Sequence, residues 1–588
     1  MRQFNYEKTG KWFGRVSFGN AAIKALFGTS LLMLSATYIS TASAMVIVGR
    51  IVGEVGLCAV NLVAPLYSYA AFFSGMIGIG SALLYFRNLG AYNKKHADEI
   101  FSQGVILAVS VGVVLLVVMI LGEDAFLSSL QVSDAIRAEA EAFWKYEKFL
   151  IALAPIDFLL FEMLYTDTRI TIMANITMFT VGIGASVFLT NLYGTMGASM
   201  GMFIGNLLCD FVLCLHFFEK KNIFSFRWHF SWKDIREMCR LSLVDSSTYL
   251  DTGLLILFIN AYVTHHYSEE LLPIAAVVIV ILDIVVLFDS VGSAFAPVAE
   301  VYLGEGNYQD EKDIARFSLL MAIVFGVAVA ALLYMLAPLI PGFLGLTNPD
   351  SIQQAVKAVR LFVPSMPFFS VAYMLISQYI AVRKIAVAVA FEWGKAFIFP
   401  LLCILVSGNI FGFNGIWGGF IPAEILAVGL FAAGIRLFAG KEKSIWLLED
   451  NKRPTFSRSY MVSKETAVAV RNDIEAFLLG EKVSEKTIFK IMLTIEDMTM
   501  LLLEKNPGRK VIVQYTVMIE EDAVYVYERD NGAMYDLTDT DMDIKNFRQY
   551  VFNRMLTSCD YRQYLMTIDY NRNMFRYLYK YPQEEPER

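Results

Sequence analysis

The chain has 588 residues, 56% of them hydrophobic and only 18% charged, with a mean hydropathy of +0.51. That composition excludes a single water-soluble globule and predicts a chain that crosses a bilayer many times. The formal charge of −7 averages a basic inner rim with an acidic tail, and no basic footprint for nucleic acid stands out.

A short polar arm with Arg2, Lys8, Lys11 and Arg15 opens the chain, followed by an apolar run over 23–48. The run is long for a signal-peptide core and lacks a small-residue cleavage site, so it reads as the first span. Further apolar runs near 58–85, 102–122, 147–166, 171–191 and 195–217 have the length that a hydrocarbon layer of ~30 Å demands. Residues 1–218 therefore read as a six-helix lobe. Between its third and fourth spans, the segment from Glu123 to Lys148 mixes Arg137, Lys145 and Lys148 with acids and reads as an amphipathic helix on the outer surface.

A basic loop follows over 219–240, with Lys220, Lys221, Arg227, Lys233, Arg236 and Arg240. Six more runs, near 243–263, 273–300, 317–338, 359–381, 386–407 and 414–436, give a second lobe over 241–438 and twelve spans in all. The halves echo each other. Gly78, Leu89-Gly90-Ala91-Tyr92-Asn93 and Ile100 return at one constant offset as Gly292, Leu303-Gly304-Glu305-Gly306-Asn307 and Ile314. Gly194, Gly197 and Gly201 return as Gly412, Gly415 and Gly419. Parallel repeats of this kind build two lobes about a central cavity in several transporter folds.

Short loops rich in Lys and Arg stay in the cytosol. Arg87, Lys94 and Lys95, then Arg169, the basic loop, Lys312 and Arg316, Arg383 and Lys384, and Lys441 and Lys443 all fall on one side, which places both termini there. The expected location is a cell membrane, of bacterial type. The six cysteines, Cys58, Cys209, Cys214, Cys239, Cys403 and Cys559, lack disulfide or metal-ligand spacing and read as small core residues, with no metal site.

Residues 439–459 are charged, contain Pro454 and read as a linker. A soluble domain over 460–588 follows. Its pattern predicts helices over 465–480 and 484–506, strands carrying Val511, Val513, Tyr515, Val517 and Val524, Val526, a helix over 545–556, and short strands near 564–568 and 574–579. Ile488, Ile491, Ile495 and Met498 recur at helical spacing and predict one covered sheet face. The fold class expected is an all-α polytopic membrane protein of two six-helix bundles with a C-terminal α/β sandwich built on one mixed sheet.

The phrases Val48-Gly49-Arg50-Ile51-Val52-Gly53, Gly78-Ile79-Gly80 and Leu89-Gly90, with the duplicated spans, make residues 20–438 resemble the multidrug and toxic-compound extrusion (MATE) family. The resemblance implies a V-shaped pair of bundles that exports a small organic solute by alternating access, with a proton or sodium ion as coupling ion and no other cofactor. A charge at mid-membrane costs roughly 2.5–3.5 kcal/mol on insertion scales, so acids there are candidate sites. Asp251 lies about eight residues into the seventh span, Asp283 about ten into the eighth, and Glu424 midway through the last, where the first repeat has Asn206. Asp251 also falls where similar transporters often carry an acid. Glu392 and Lys395, one helical turn apart, read as a structural ion pair, and Glu162, Asp210 and Asp289 as solvated near span ends. Where many relatives have an aspartate in the first span, this chain has Ala44.

The tail carries Thr494-Ile495-Glu496-Asp497-Met498, Arg529-Asp530-Asn531-Gly532 and Tyr570-Asn571-Arg572-Asn573-Met574-Phe575, and resembles the histidine-kinase-like ATPase domain of anti-sigma-factor kinases. The resemblance implies a carboxylate at Glu496 or Asp497 and an adenine site at Asp530 and Gly532. Met500 or Leu501 stands where active members hold magnesium, and 539–560 contains no glycine to wrap phosphates, so the expectation is a pseudo-ATPase without catalysis. No phosphate-binding loop of Walker type occurs. The chain reads as a transporter rather than an enzyme, with a small-molecule substrate, membrane lipid around it and a cytosolic protein as a partner for the tail. Two other readings fit the same residues: a flippase of lipid or lipid-linked sugar, and a membrane sensor signalling through the tail.

Overall fold

The computed structural model describes residues 17–90, 93–164, 168–219, 222–438, 445–448, 453–521, 523–533, 535, 560–563 and 571–578. Its long helices are α1 (Phe18–Ile51), α2 (Glu54–Asn88), α3 (Lys94–Ser129), α4 (Asp134–Leu164), α5 (Arg169–Tyr193), α6 (Thr195–Phe218), α7 (Trp232–His266), α8 (Glu269–Glu305), α9 (Tyr308–Leu336), α10 (Pro349–Ala381), α11 (Ile385–Phe411) and α12 (Phe413–Arg436). Ten of them are long and apolar enough to cross a membrane; α1 and α4, at 34 and 31 residues, supply the remaining long helices.

The contacts divide the chain into two compact units, one over residues 27–296 and 318–447, the other over 1–26, 297–317 and 448–588. In the first, α2 packs against α4 and α7, and α4 against α6. Leu57, Val63, Ile259, Val278 and Trp417 belong to one large buried core, and Ile100, Phe101, Met163 and Leu213 to a second. The seam between α2 and α7 also buries an amide pair, in which Asn61 Nδ2 donates to Asn260 Oδ1 at 2.8 Å.

The sequence echo is repeated in backbone detail. Gly194 and Gly412 share nearly the same conformation, φ 63°, ψ −144° and φ 65°, ψ −152°, which side chains rarely adopt. Asn93 accepts a hydrogen bond from the His96 amide, and Asn307 accepts one from the Asp310 amide at 3.3 Å, so the third helix of each half is capped alike. Each half also breaks its fifth helix with a π-helical segment, Met178–Ile183 in α5 and Gly394–Ile398 in α11. In α11 the cause is visible: Pro400 has no amide hydrogen to donate to the preceding turn, and the ladder widens there.

Some expected elements differ. Residues expected as a separate amphipathic helix between Glu123 and Lys148 instead extend α3 to Ser129 and begin α4 at Asp134. The basic loop is shorter than expected, because Ser231 caps α7 and Lys233, Arg236 and Arg240 already lie on it. An amphipathic stretch over Pro349–Phe362 precedes the apolar part of α10.

The second unit holds the tail: β1 (Thr455–Met461), α13 (Lys464–Gly480), α14 (Glu485–Lys505), β2 (Ile512–Ile519), β3 (Ala523–Asp530), β4 (Asp560–Gln563) and β5 (Asn571–Leu578). Ser463 and Thr466 form a reciprocal capping box on α13. The sheet has the order β1-β2-β3-β5-β4, and every pairing is antiparallel, which corrects the mixed sheet expected; period-two alternation is the same in either direction. β1 also occupies residues expected as linker. Ile488, Ile491, Ile495 and Met498 are buried with Val513, Tyr515, Val517 and Val526, as their spacing requires. The helix expected over 545–556 lies outside the described residues.

Candidate functional site

The second half buries charge on three helices. On α7, Asp251 has no exposed surface, and its Oδ1 accepts the Thr252 amide at 2.9 Å. On α11, the π-helical segment turns Lys395 inward; its ammonium lies 3.3 Å from Glu392 Oε1 and 3.7 Å from the centroid of the Tyr373 ring of α10. On α12, Glu424 has no exposed surface. Phe391 stacks on Phe431 at 4.3 Å and holds α11 to α12.

The Lys395 ammonium acts electrostatically on Asp251, Glu392 and Glu424 together, and Asp251 and Glu424 each feel Glu392. Three carboxyls thus share one ammonium, all at 2% exposure or less. Fully ionised, the group would carry an excess of two negative charges in a medium that screens poorly, which burial penalises. Asp251 Oδ2 and both Glu424 carboxyl oxygens accept no hydrogen bond, which leaves them open to a proton.

Of the predicted residues, the structure brings Asp251 and Glu424 together and leaves Asp283 apart. Asp283 is half-buried on α8 and acts on Tyr38 of α1, whose hydroxyl donates to the Val280 carbonyl at 3.0 Å. Lys395 and Glu392 form the ion pair that their spacing predicts, and the lysine also acts on Asp251 and Glu424. The signal that could have found them is a lysine in the middle of an apolar run, a residue that seldom sits there idle. Asp289, expected to be solvated, is half-buried and feels both Glu392 and Lys395.

The first half carries buried acids too, although Ala44, 4% exposed, stands where an acid was implied. Asp157 of α4 and Asp210 of α6 are each 7% exposed; the charge of Asp210 acts on Asp157, and both act on Tyr67 of α2. The burial of Asp210 corrects the expectation that it is solvated.

In the tail, Asp530 is fully buried and its oxygens are taken by its own chain. The Gly532 amide donates to Oδ1 at 2.7 Å, Asn571 Nδ2 donates to the same oxygen at 3.0 Å, and the Tyr535 hydroxyl donates to Oδ2 at 3.1 Å. The Tyr535 hydroxyl oxygen also lies 3.3 Å from Glu528 Oε2, to which Asn573 donates at 2.7 Å. Gly532 is buried against the Asn506 amide. Glu496 instead stands exposed on α14, 3.7 Å from Arg471, and Asp497 is half-buried. The lid region 539–560 lies, apart from Asp560 at its end, outside the described residues. Among the described residues no group of three or more His, Cys, Asp or Glu is arranged to hold a metal ion.

The chain matches the family model described as MatE over residues 30–190 and 253–392. No curated protein matches it in sequence. Among solved structures it is similar to the inward-facing conformation of a multidrug resistance MATE family transporter of the MOP superfamily, at 16% identity and TM-score 0.60, covering 69% of this chain and 96% of that one. The outward-facing conformation of such a transporter matches at 16% identity and TM-score 0.58, over 72% and 97%. The MATE multidrug transporter DinF-BH, solved as a complex, matches at 18% identity and TM-score 0.60, over 75% and 100%. At these identities the likeness is one of fold.

Proposed function

The chain belongs to the MatE family, and from that premise we propose that it is a secondary active exporter of an organic solute, driven by protons that load Asp251 and Glu424 in the second lobe. The observation that carries the reading is the charge imbalance around Lys395: three buried carboxyls, one ammonium, and unpartnered oxygens on Asp251 and Glu424. Protonation removes charge that the low-dielectric interior penalises, and release of those protons to the other side supplies the drive. Relatives of this fold captured facing inward and facing outward support alternating access as the cycle. The basic short loops favour cytosolic termini.

The tail, in this proposal, regulates the transporter or docks a cytosolic protein, and does not hydrolyse ATP. Its adenine-reading position is supported as unavailable by the Tyr535 hydroxyl, the Asn571 amide and the Gly532 amide that already saturate Asp530.

Purified protein in liposomes loaded with ethidium, a fluorescent organic cation, tests the reading, with flux followed under separate proton and sodium gradients. Proton-driven flux that Asp251→Asn reduces at least tenfold is the expected result. Lipid scrambling without ethidium flux would move the assignment to a flippase, and sodium-driven flux would replace the coupling ion.

A further inference from the structure

One row of the tail sheet runs across four strands at a single register: Ser459 on β1, Gln514 on β2, Arg529 on β3 and Arg572 on β5. Paired residues project to the same face, and this is the face turned away from the apolar stripe of α14. Alternation predicts that it meets water. It does not: Gln514 is 4% exposed, Thr516 0% and Arg529 1%.

What covers it is the end of α8 and the loop leading to α9, within the same compact unit. Arg572 donates from Nε and Nη2 to Glu305 Oε1 at 2.9 and 2.6 Å, while Arg529 pairs with Glu305 Oε2. The Arg529 guanidinium lies 4.8 Å from the Tyr302 ring, whose hydroxyl donates to Gln514 Oε1 at 2.7 Å. Gln514 Nε2 donates to Asp310 at 2.8 Å, Asn307 donates to the same carboxyl at 2.7 Å, and Ser457 reaches it as well. Two guanidiniums converging on one buried carboxylate make a recognition site rather than a chance surface contact.

We propose that this sheet face is a dock for the cytosolic loop between α8 and α9 of its own chain, read through Glu305, and that the docked tail restrains the two helices that leave that loop for the membrane. The repeat explains the choice of lobe. The first half carries the same phrase, Leu89-Gly90-Ala91-Tyr92-Asn93, but with Ala91 at the position of Glu305, so it offers the arginines nothing. The dock deepens the reading of the tail as a regulator and rests on it.

The test inserts a protease site between Trp446 and Pro454 of the full-length protein in detergent micelles and asks whether the cut tail still co-elutes with the membrane part. Retention in the wild type, at least tenfold loss in Glu305→Arg, clear loss in the isosteric Glu305→Gln, and wild-type retention in Ala91→Arg are the expected results. A wild-type tail that leaves on cutting, or Glu305 variants that retain it within twofold, overturns the dock. Ethidium flux from liposomes separates the two claims. Faster flux in Glu305→Gln marks a restraint, unchanged flux with a released tail overturns the restraint, and absence of flux from the wild type faults the transport reading and leaves the dock standing.

Discussion

The Lys395 ammonium of α11 lies 3.7 Å from the centre of the Tyr373 ring of α10 and 3.3 Å from the Glu392 carboxyl, with both ionic side chains at 2% exposure. Removing one member of a buried ion pair strands the other, at a cost of about 3–5 kcal/mol, whereas replacing both by apolar groups is often neutral. Lys395→Met is therefore expected to lower the melting temperature of the protein in detergent, and the double variant Lys395→Met, Glu392→Leu to recover most of the loss. Equal destabilisation by the single and double variants would mean that the pair is not the unit.

Asp251→Asn and Glu424→Gln remove titratable charge while keeping shape. Both residues face Lys395, so either variant should cut proton-driven flux at least tenfold and flatten its pH dependence. Asp283→Asn should have the smaller effect, since its neighbour is Tyr38 rather than the lysine. Flux ratios measured side by side in liposomes decide this, and a larger effect at Asp283 would return the coupling site to α8.

The long apolar helices were legible because each apolar run is a backbone segment that must satisfy its own hydrogen bonds in lipid, which leaves helix as the answer. The repeat was legible because glycine at Gly194 and Gly412, and the capping Asn93 and Asn307, are local demands written at fixed positions. Asp251 and Glu424 were legible as acids out of place. Their meeting about Lys395 was not, because it depends on how three helices pack and on a π-helical turn that points the lysine inward. β1 escaped notice beside Pro454 because its Thr-Phe-Ser-Arg-Ser-Tyr sequence is polar on the docked face. Arg529 was read only as a neighbour of Asp530; its own partner, Glu305, lies far away in the chain, and no short pattern reports such a pairing.

Asp157 and Asp210 are both buried inside the first half, and the charge of Asp210 acts on Asp157, an arrangement of like charges that burial penalises. Asp210→Asn keeps the shape and removes one of the two like charges. The variant is expected to fold with wild-type thermal stability or better at neutral pH, while Asp210→Leu, which strands Asp157, should lose about 1–3 kcal/mol. Melting curves of the two variants in the same detergent give the comparison; equal losses would mean that the two carboxyls do not act on each other.

Glu528 on β3 is a pH-sensitive element of the tail. Burial raises its pKa well above the ordinary carboxylic acid range, and the charge of Asp530 raises it further. In the unfolded chain the group loses its proton near ~4.3, whereas the folded tail retains it to higher pH. The folded state therefore binds more protons across that interval, and stability falls as pH rises through it. The melting midpoint of a fragment covering 453–588 should decline from pH about 4.5 upward, and Glu528→Gln should flatten the decline. A parallel pair of curves would remove Glu528 from the account.

The tail makes a second prediction, about nucleotide. Its core is self-contained, since Val470, Ile474, Ile495, Met498, Val517 and Phe575 all belong to one buried cluster, so a fragment over 453–588 should melt cooperatively. Its nucleotide position should nevertheless stay empty. Asp530 accepts from the Gly532 amide, Asn571 and Tyr535, and adenine would have to displace a hydroxyl held at 3.1 Å to use it. Neither Met500 nor Leu501 ligates magnesium, and Glu496 is exposed beside Arg471. Truncating the plug by Tyr535→Ala opens the aspartate without creating a metal ligand, so it is not expected to restore binding. Ligand at 100 times its dissociation constant would add about 2.7 kcal/mol, a rise of several degrees in a domain of this size. Millimolar magnesium-ATP is expected to move the midpoint of the wild type and of Tyr535→Ala by less than about one degree, well below that shift. A rise of several degrees in the wild type would make the tail a nucleotide sensor, and a rise confined to Tyr535→Ala would make Tyr535 alone the reason the pocket is closed.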